Sequence, residues 1–245
     1  MTTPLNQPVV SNEDGIRNLS FGTGFIQGGM RIDDPYALEF EYIQQMMMWV
    51  LFNKSPAHIV QLGLGAASLT KFCYKHYARS KITAVELNPA VIDICREAFH
   101  LPADDKRFRV LCIDAMEYVT DQTHHSTVDI LQVDLYDAQA EKPALDSAEF
   151  YQACADCLTS EGMMTVNLFC DAPDHAKNIE TMEHSFKAVA WLTEVHDSNI
   201  VAIAFKKPPS IDFEKLYERA ELVEQQLKLP ASFWVDGLVD WMHGP

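Results

Sequence analysis

The chain has 245 residues, of which 48% are hydrophobic, and its 19 Lys and Arg face 35 Asp and Glu, which gives a net charge of −16. A negative field of this size repels phosphate backbones, so we predict no nucleic-acid partner, and no apolar run is long enough to cross a bilayer. The amino terminus has neither the basic start nor the apolar stretch of a signal peptide, so we expect a cytoplasmic protein with free thiols at its six cysteines.

The first predicted element is a small β unit over residues 1–34. Residues 8–21 form two short strand patterns around Asp14-Gly15, a dipeptide typical of a two-residue hairpin turn. Residues 35–52 then change to a helical period, with apolar residues on one face and Pro56 beyond the end. We expect this helix to lead into the main domain.

The main domain is predicted over residues 35–209, where strand and helix patterns alternate. Alternation of this kind predicts a doubly wound, Rossmann-like α/β domain with a mainly parallel sheet. The predicted elements are strands 59–63, 82–86, 108–112, 128–134 and 162–169, and helices 68–78, 89–99, 114–120 and 147–159. Two further apolar runs, 188–194 and 200–205, lie close enough to form an antiparallel edge hairpin, which is typical of a methyltransferase-type sheet.

A helical extension is predicted over residues 210–245. Residues 210–228 are amphipathic and charged, and residues 230–241 form a short apolar helix. We expect the second helix to pack on the body of the protein or on a second subunit.

The clearest functional signal is an apolar run, residues 59–62, that ends in Gly63-Leu64-Gly65 and is followed by a second run ending in Glu86. In a parallel sheet this order places a glycine turn and a carboxylate side by side at the carboxyl ends of adjacent strands. Glycine lets the backbone approach a ligand closely, and the carboxylate can accept both ribose hydroxyls. The pattern predicts a nucleoside-binding enzyme.

Three more acids follow strand ends, namely Asp114, Asp134 and Asp137. Each one alone could be a helix cap or a solvated loop residue, and for Asp114 the cap is as plausible as a functional role. Together with Glu86 they favour a single crevice beside the Gly63–Gly65 turn.

The order of these motifs resembles the spermidine synthase family of aminopropyltransferases, as a short and divergent member. The segments that carry the resemblance lie within residues 20–170 and are Ile26-Gln27, Glu41-Tyr42-Ile43-Gln44-Gln45-Met46, Gly63-Leu64-Gly65, Val85-Glu86-Leu87-Asn88-Pro89, Cys112-Ile113-Asp114-Ala115, Val133-Asp134-Leu135-Tyr136-Asp137 and Glu149-Phe150-Tyr151.

The resemblance implies a role for each of these positions. Glu86 would hold the ribose hydroxyls and Asp114 the adenine amino group, within a nucleoside site formed by Gly63, Gly65, Glu86, Leu87, Asp114 and Ala115. Asp134 would be the catalytic base, with Asp137 and Tyr42 holding the acceptor amine. Gln27 and Tyr136 would contact substrate, although Tyr136 could equally pack under its loop. The resemblance also implies a polyamine or other small amine as partner, an S-adenosyl donor as co-substrate with no tightly bound cofactor or metal, and a homodimer.

General chemistry supports the base independently of the resemblance. An alkyl amine is almost fully protonated at neutral pH and then has no lone pair with which to attack. A carboxylate beside the attacking nitrogen can take that proton while the sulfonium carbon is attacked.

Two departures from the family pattern keep other functions open. Ala66 stands where the family has an aspartate that grips the aminopropyl amine of the donor, and the family's Pro-Thr-Tyr-Pro-Ser-Gly segment is missing after Phe186. Without that acid, intact S-adenosylmethionine could be admitted, because its carboxylate would not be repelled. The alternatives are therefore an S-adenosylmethionine-dependent methyltransferase and a non-catalytic nucleoside- or polyamine-binding protein.

Two minor features complete the sequence. Cys154 and Cys157 have the spacing of a redox or zinc half-site, but they lie in a predicted helix and no second Cys/His pair completes a zinc site, which favours core packing. Residues 138–146 are long for a strand-to-helix connection and are predicted to form a lid over the site.

Overall fold

The computed structural model describes residues 6–22, 24–136, 145–169, 172–193 and 199–243. Its strands are β1 (Val9–Glu13), β2 (Ile16–Ser20), β3 (Ile26–Arg31), β4 (His58–Leu62), β5 (Lys81–Glu86), β6 (Phe108–Cys112), β7 (Val128–Val133), β8 (Leu158–Phe169), β9 (Ala188–Thr193) and β10 (Asn199–Phe205). Its α-helices are α1 (Glu41–Gln45), α2 (Ser68–His76), α3 (Pro89–Ala98), α4 (Ala115–Thr120), α5 (Ala148–Cys157), α6 (Ala172–Glu183), α7 (Phe213–Leu227) and α8 (Ala231–His243). Short 3-10 helices cover Met48–Leu51 and Gln122–His124.

The main sheet has seven strands in the order β6-β5-β4-β7-β8-β10-β9. Strands β4 to β8 pair in parallel, whereas β10 pairs antiparallel with both β8 and β9. The chain builds outward from β4 to β6 and then returns to the other side of β4 with β7, so a topological switch point lies between β4 and β7. The predicted methyltransferase-type sheet with an antiparallel edge hairpin is confirmed.

The amino-terminal unit is a three-stranded antiparallel sheet, β1-β2-β3. The predicted turn is present, since Asp14 and Gly15 both have positive φ, 47° and 81°, as a type I′ hairpin requires. The third strand was not predicted, because Gly28 and Gly29 lower the strand propensity of β3.

The single helix predicted over residues 35–52 is wrong. It is divided into α1 and a 3-10 turn, and the carbonyl of Met46 between them accepts hydrogen bonds from Gln132 Nε2 at 3.1 Å and Thr165 Oγ1 at 3.0 Å. In a continuous helix the Met46 carbonyl would accept from a backbone N–H of the next turn. Here the sheet side chains donate to it instead, so they hold the segment against one face of the sheet.

Helices cover both faces of the sheet, and the central strands β4 and β7 are buried except at Asp129. The two carboxy-terminal helices are present as α7 and α8, while α6 was not predicted. Among the described residues no helix combines the length and the apolarity needed to cross a lipid bilayer. Every described cysteine is a free thiol, and Cys154 and Cys157 are fully buried in the core as expected.

Candidate active site

A cavity of about 620 Å³ opens at the carboxyl ends of β4, β5 and β7, beside the switch point, and the amino-terminal sheet forms its opposite wall. This is the size and position of a ligand site in an open α/β sheet. The sequence-predicted site residues that line it are Gln27, Tyr42, Gly63, Gly65, Glu86, Leu87, Asp114, Ala115, Asp134 and Tyr136. The remaining one, Asp137, lies outside the described residues.

The glycine turn after β4 brings the backbone close to Asp134. Gly63 has φ of 91° and Gly65 has φ of 50°, a region that L side chains rarely adopt. A Cβ on Gly63 would also overlap the backbone carbonyl oxygen of Asp134. Asp134 N in turn donates to the carbonyl of Leu62 at 2.9 Å, so the turn and Asp134 are directly joined.

Glu86 ends β5 and is tied to the same turn. Its Oε2 accepts from the backbone N–H of Leu64 at 3.0 Å, and its Oε1 accepts from Asn88 N at 2.8 Å. Burial raises the pKa of the Glu86 carboxyl, and the hydrogen bonds from Asn88 and Leu64 oppose that rise. Each oxygen keeps a second lone pair, so a fixed carboxylate can still accept two hydroxyls from a ligand.

The far end of the cavity combines a polar and an apolar contact. Asp114 is exposed, and its carboxylate caps α4 by accepting from Met116 N at 2.7 Å. The same residue lines the cavity, so the capping role and a ligand-binding role are compatible. Leu87 is 50% exposed, which is high for a leucine that faces a cavity, and it offers a planar ligand an apolar surface.

Asp134 lies directly after β7 and is partly buried. Burial raises the pKa of its carboxyl, and a hydrogen bond from Asn167 opposes the rise. Asn167 Nδ2 donates to Asp134 Oδ1 at 3.0 Å, and Asn199 Nδ2 donates to Asn167 Oδ1 at 2.8 Å. Tyr136 donates its hydroxyl to the backbone carbonyl of Asn167 at 2.9 Å, which fixes the Tyr136 side chain against β8.

Asn167 and Asn199 both line the cavity but were not identified from the sequence. The available signal was an amide near the carboxyl end of the apolar strand 162–169, the same position in which the acids were recognised. Asn199 carries no such signal, because it begins its strand and reaches the site only through the antiparallel register of β10.

The amino-terminal sheet is held against the glycine turn by close backbone packing. A Cβ on Gly28 would lie 2.8 Å from Ala66 N and 2.9 Å from Ala66 Cβ, so glycine is needed at this contact. Ser68 Oγ donates to the Gly29 carbonyl at 2.9 Å. Ala66 is only 3% exposed, so position 66 is a packing contact between the turn and β3.

Comparison with known proteins identifies relatives along most of the chain. A family model described as the spermine/spermidine synthase domain matches residues 39–197. The polyamine aminopropyltransferase of Neisseria meningitidis serogroup A is 31% identical over 215 residues, which cover 86% of this chain and 81% of that protein. The polyamine aminopropyltransferase of Chromobacterium violaceum is 30% identical over 231 residues, covering 94% of this chain and 88% of that protein.

Two solved structures share the fold. A probable spermidine synthase from Corynebacterium glutamicum has a TM-score of 0.73 at 21% identity and covers 89% of this chain and 88% of its own. Human methyltransferase-like protein 13, solved in complex with SAH, has a TM-score of 0.70 at 21% identity and covers 78% of this chain and 93% of its own.

Proposed function

The chain belongs to the spermine/spermidine synthase family, and we propose that it transfers the aminopropyl group of decarboxylated S-adenosylmethionine to a small diamine or polyamine. The observation that carries the proposal is the position of Asp134. Its carboxylate lies in one cavity with Glu86 and the Gly63–Gly65 turn, so a base and a nucleoside site share a single space.

In this proposal the donor lies along the glycine turn. Glu86 accepts the ribose hydroxyls, Asp114 accepts from the adenine amino group, and Leu87 and Ala115 contact the ring. The fixed Glu86 carboxylate supports this assignment, because both of its oxygens are already oriented by backbone N–H groups.

The acceptor amine lies on the Asp134 side of the cavity. Asp134 takes a proton from the ammonium group, the neutral nitrogen attacks the aminopropyl carbon, and the carbon–sulfur bond breaks. The products are the alkylated amine and the neutral thioether methylthioadenosine. General-base catalysis of this kind contributes roughly 10²–10⁴-fold, and holding the two reactants together contributes much of the rest. Tyr42, Gln27, Tyr136 and Asp137 hold the acceptor.

The proposal is tested with purified protein, decarboxylated S-adenosylmethionine and diamines of different lengths, with products identified by mass spectrometry. Wild type should release methylthioadenosine and an aminopropylated amine. Asp134→Asn should lose at least ~10²-fold in kcat while its Kd for methylthioadenosine changes little, because the base is removed and the nucleoside contacts remain. Asp93→Asn, an exposed change outside the cavity, is the matched control. Unchanged turnover in Asp134→Asn would remove the assigned base.

Methyl transfer is a second candidate, which Ala66 favours. The turn offers no acid to grip a donor amine at this position, and a methyltransferase shares the fold. Calorimetry with both forms of the donor separates the two reactions. Tighter binding of intact S-adenosylmethionine, together with a methylated product, would favour methyl transfer, whereas nucleoside binding with no product from any amine would indicate a binding protein.

A homodimer and a cytoplasmic location remain predictions. Phe233, Trp241 and Met242 of α8 are exposed apolar side chains, which supports a subunit contact on this helix. Sedimentation of wild type against Phe233→Glu tests the dimer, and a wild-type monomer would contradict it.

A further inference from the structure

Two asparagine side chains form a chain of hydrogen bonds that ends at the Asp134 carboxylate. Asn199 donates to Asn167 at 2.8 Å, and Asn167 donates to Asp134 Oδ1 at 3.0 Å. Both asparagines are buried, at 6% and 4% exposure, although both line the cavity. Asp134 directly follows β7, and Asn167 and Asn199 lie on β8 and β10; the three strands are neighbours in the sheet.

The antiparallel register of β8 and β10 brings the two amides together. Asn167 lies opposite Val201, and Asn199 lies opposite Phe169. Residues two apart on a strand share a face, so Asn167 and Asn199 are diagonal neighbours on the same face of the sheet. The hydrogen bond between them is therefore fixed by strand pairing and does not depend on a loop.

We propose that Asn199 and Asn167 form an amide relay that orients the Asp134 carboxylate for its reaction with the acceptor amine. The inference rests on the proposed role of Asp134 as base and adds two positioning residues to it. The side-chain amide of Asn167 could rotate by 180° with little change of shape, and its oxygen would then face the Asp134 carboxylate. The N–H of Asn199 prevents this rotation, because it donates to the Asn167 oxygen. Only the Asn167 nitrogen is then left to face Asp134.

The relay has two consequences for Asp134. Its Oδ1 is occupied by Asn167, whereas its Oδ2 has no hydrogen-bond partner among the described residues, so Oδ2 is the oxygen that receives the proton. The hydrogen bond also favours the ionised carboxylate and so opposes the rise in pKa that burial causes. The other ionisable groups that line the cavity in the described part of the chain are Glu86, Asp114, Tyr42 and Tyr136, and the test leaves all of them in place.

The test measures the pKa of the Asp134 carboxyl by ¹³C NMR, with Asp134→Asn used to assign the signal. Asn167→Leu and Asn199→Leu keep the approximate volume and remove the donors. We expect Asn167→Leu to raise the Asp134 pKa by about one pH unit and Asn199→Leu to raise it by less, because the first removes the bond and the second only frees the amide to turn. The acidic limb of the kcat/KM profile should move in the same order.

The matched control is Asn178→Leu. Asn178 is equally buried and accepts a hydrogen bond from Tyr151 at 2.9 Å, but it lies outside the cavity, so its loss should leave the Asp134 pKa unchanged. Asn199→Ser keeps a shorter donor and is measured alongside, in case the leucine variant does not fold, and its Asp134 pKa should lie between those of wild type and Asn199→Leu.

An Asp134 pKa that is the same in wild type, Asn167→Leu and the position-199 variants would overturn the relay. The NMR measurement needs no turnover, so it separates this failure from failure of the proposed function. Shifted pKa values in a protein that makes no product would leave the relay standing and remove the proposed reaction.

Discussion

At the scale of single residues, Gly63 makes two demands that only glycine meets. Its φ of 91° is unfavourable for any side chain, and a Cβ would run into the Asp134 carbonyl. The position therefore controls how closely the turn approaches the residue that we assign as the base. Sequence reasoning identified Gly63 as a ligand contact but could not show that its nearest neighbour is the backbone of Asp134.

Gly63→Ala should both destabilise the protein and impair the site. We expect a loss of roughly 1–3 kcal/mol from the backbone conformation alone, with more from the overlap, and weaker binding of methylthioadenosine because the turn must move away. Chemical denaturation and calorimetry measure the two effects. Gly22→Ala is the control, since Gly22 also has positive φ, 73°, but an added Cβ there would meet nothing within 4 Å. Equal effects of the two changes would contradict the close approach at Gly63.

The residues that the sequence predicted and those it missed differ in a physical way. Glu86, Asp114 and Asp134 follow strand ends, and the carboxyl ends of parallel strands always meet at one edge of the sheet, so their convergence could be predicted. Asn167 and Asn199 meet only because β10 runs antiparallel to β8 in one particular register. A shift of one residue would turn Asn199 to the other face, and no local pattern fixes that register.

At the scale of secondary structure, the errors occur where tertiary contacts override local preference. The helix expected over residues 35–52 has the right apolar spacing, but Gln132 and Thr165 hold the Met46 carbonyl. Strand β3 contains two glycines that weaken a strand in isolation, yet they permit its contacts with Ala66 and Phe40. In both cases the local structure depends on residues that are distant in the sequence, which a local sequence pattern does not show.

His58 begins β4, at the opposite end of the sheet from the cavity, and its ring bonds to β5 and to the residue before β7. Its Nδ1 lies 3.2 Å from the Thr127 carbonyl, which can only accept, so Nδ1 carries the hydrogen and Nε2 accepts from the Thr83 hydroxyl at 3.0 Å. Burial, aided by the charge of Lys81, lowers the pKa of His58 from 6.5 to about 4. The folded protein therefore holds a neutral imidazole where the unfolded chain takes up a proton.

This depressed pKa predicts a loss of stability in acid. Between pH 6.5 and 4 the unfolded state binds more protons at this residue, so the free energy of unfolding falls as the pH falls through that range, by up to about 3 kcal/mol. His58→Asn, which keeps a donor for Thr127, should show a shallower fall in urea titrations across the same range. His184→Asn changes an exposed histidine and should follow wild type. Parallel curves for wild type and His58→Asn would contradict the assignment.

At the scale of the whole molecule, the doubly wound sheet and the family were both predictable from the sequence. The alternation of strands and helices predicted the layers, and the ordered motifs around Gly63, Glu86, Asp114 and Asp134 gave the resemblance, which the family match over residues 39–197 confirms. These features could be predicted because each depends on local sequence pattern and on the order of motifs along the chain. The surroundings of Ala66 could not be predicted in this way, since composition and spacing do not reveal that it is buried against Gly28 of β3.

The net charge of −16 acts on any cationic substrate as it approaches. A diamine carries two positive charges at neutral pH, so we expect the net negative charge, together with Glu86, Asp114 and Asp134 in the cavity, to raise its local concentration and its rate of encounter. Dissolved salt screens this field over a Debye length of about 10 Å at 0.1 M. Methylthioadenosine is neutral and gains nothing from the field.

We therefore expect kcat/KM for the diamine to fall by about 10-fold between low and high salt, while the Kd of methylthioadenosine stays nearly constant. Steady-state kinetics at several NaCl concentrations, paired with calorimetry of the nucleoside, measure the two quantities in the same buffers. The comparison separates charge from general effects of salt on the fold, because unfolding would weaken both ligands together. If the kinetics with the diamine were independent of salt, the net negative charge would have no part in substrate capture and would serve only to keep the protein in solution.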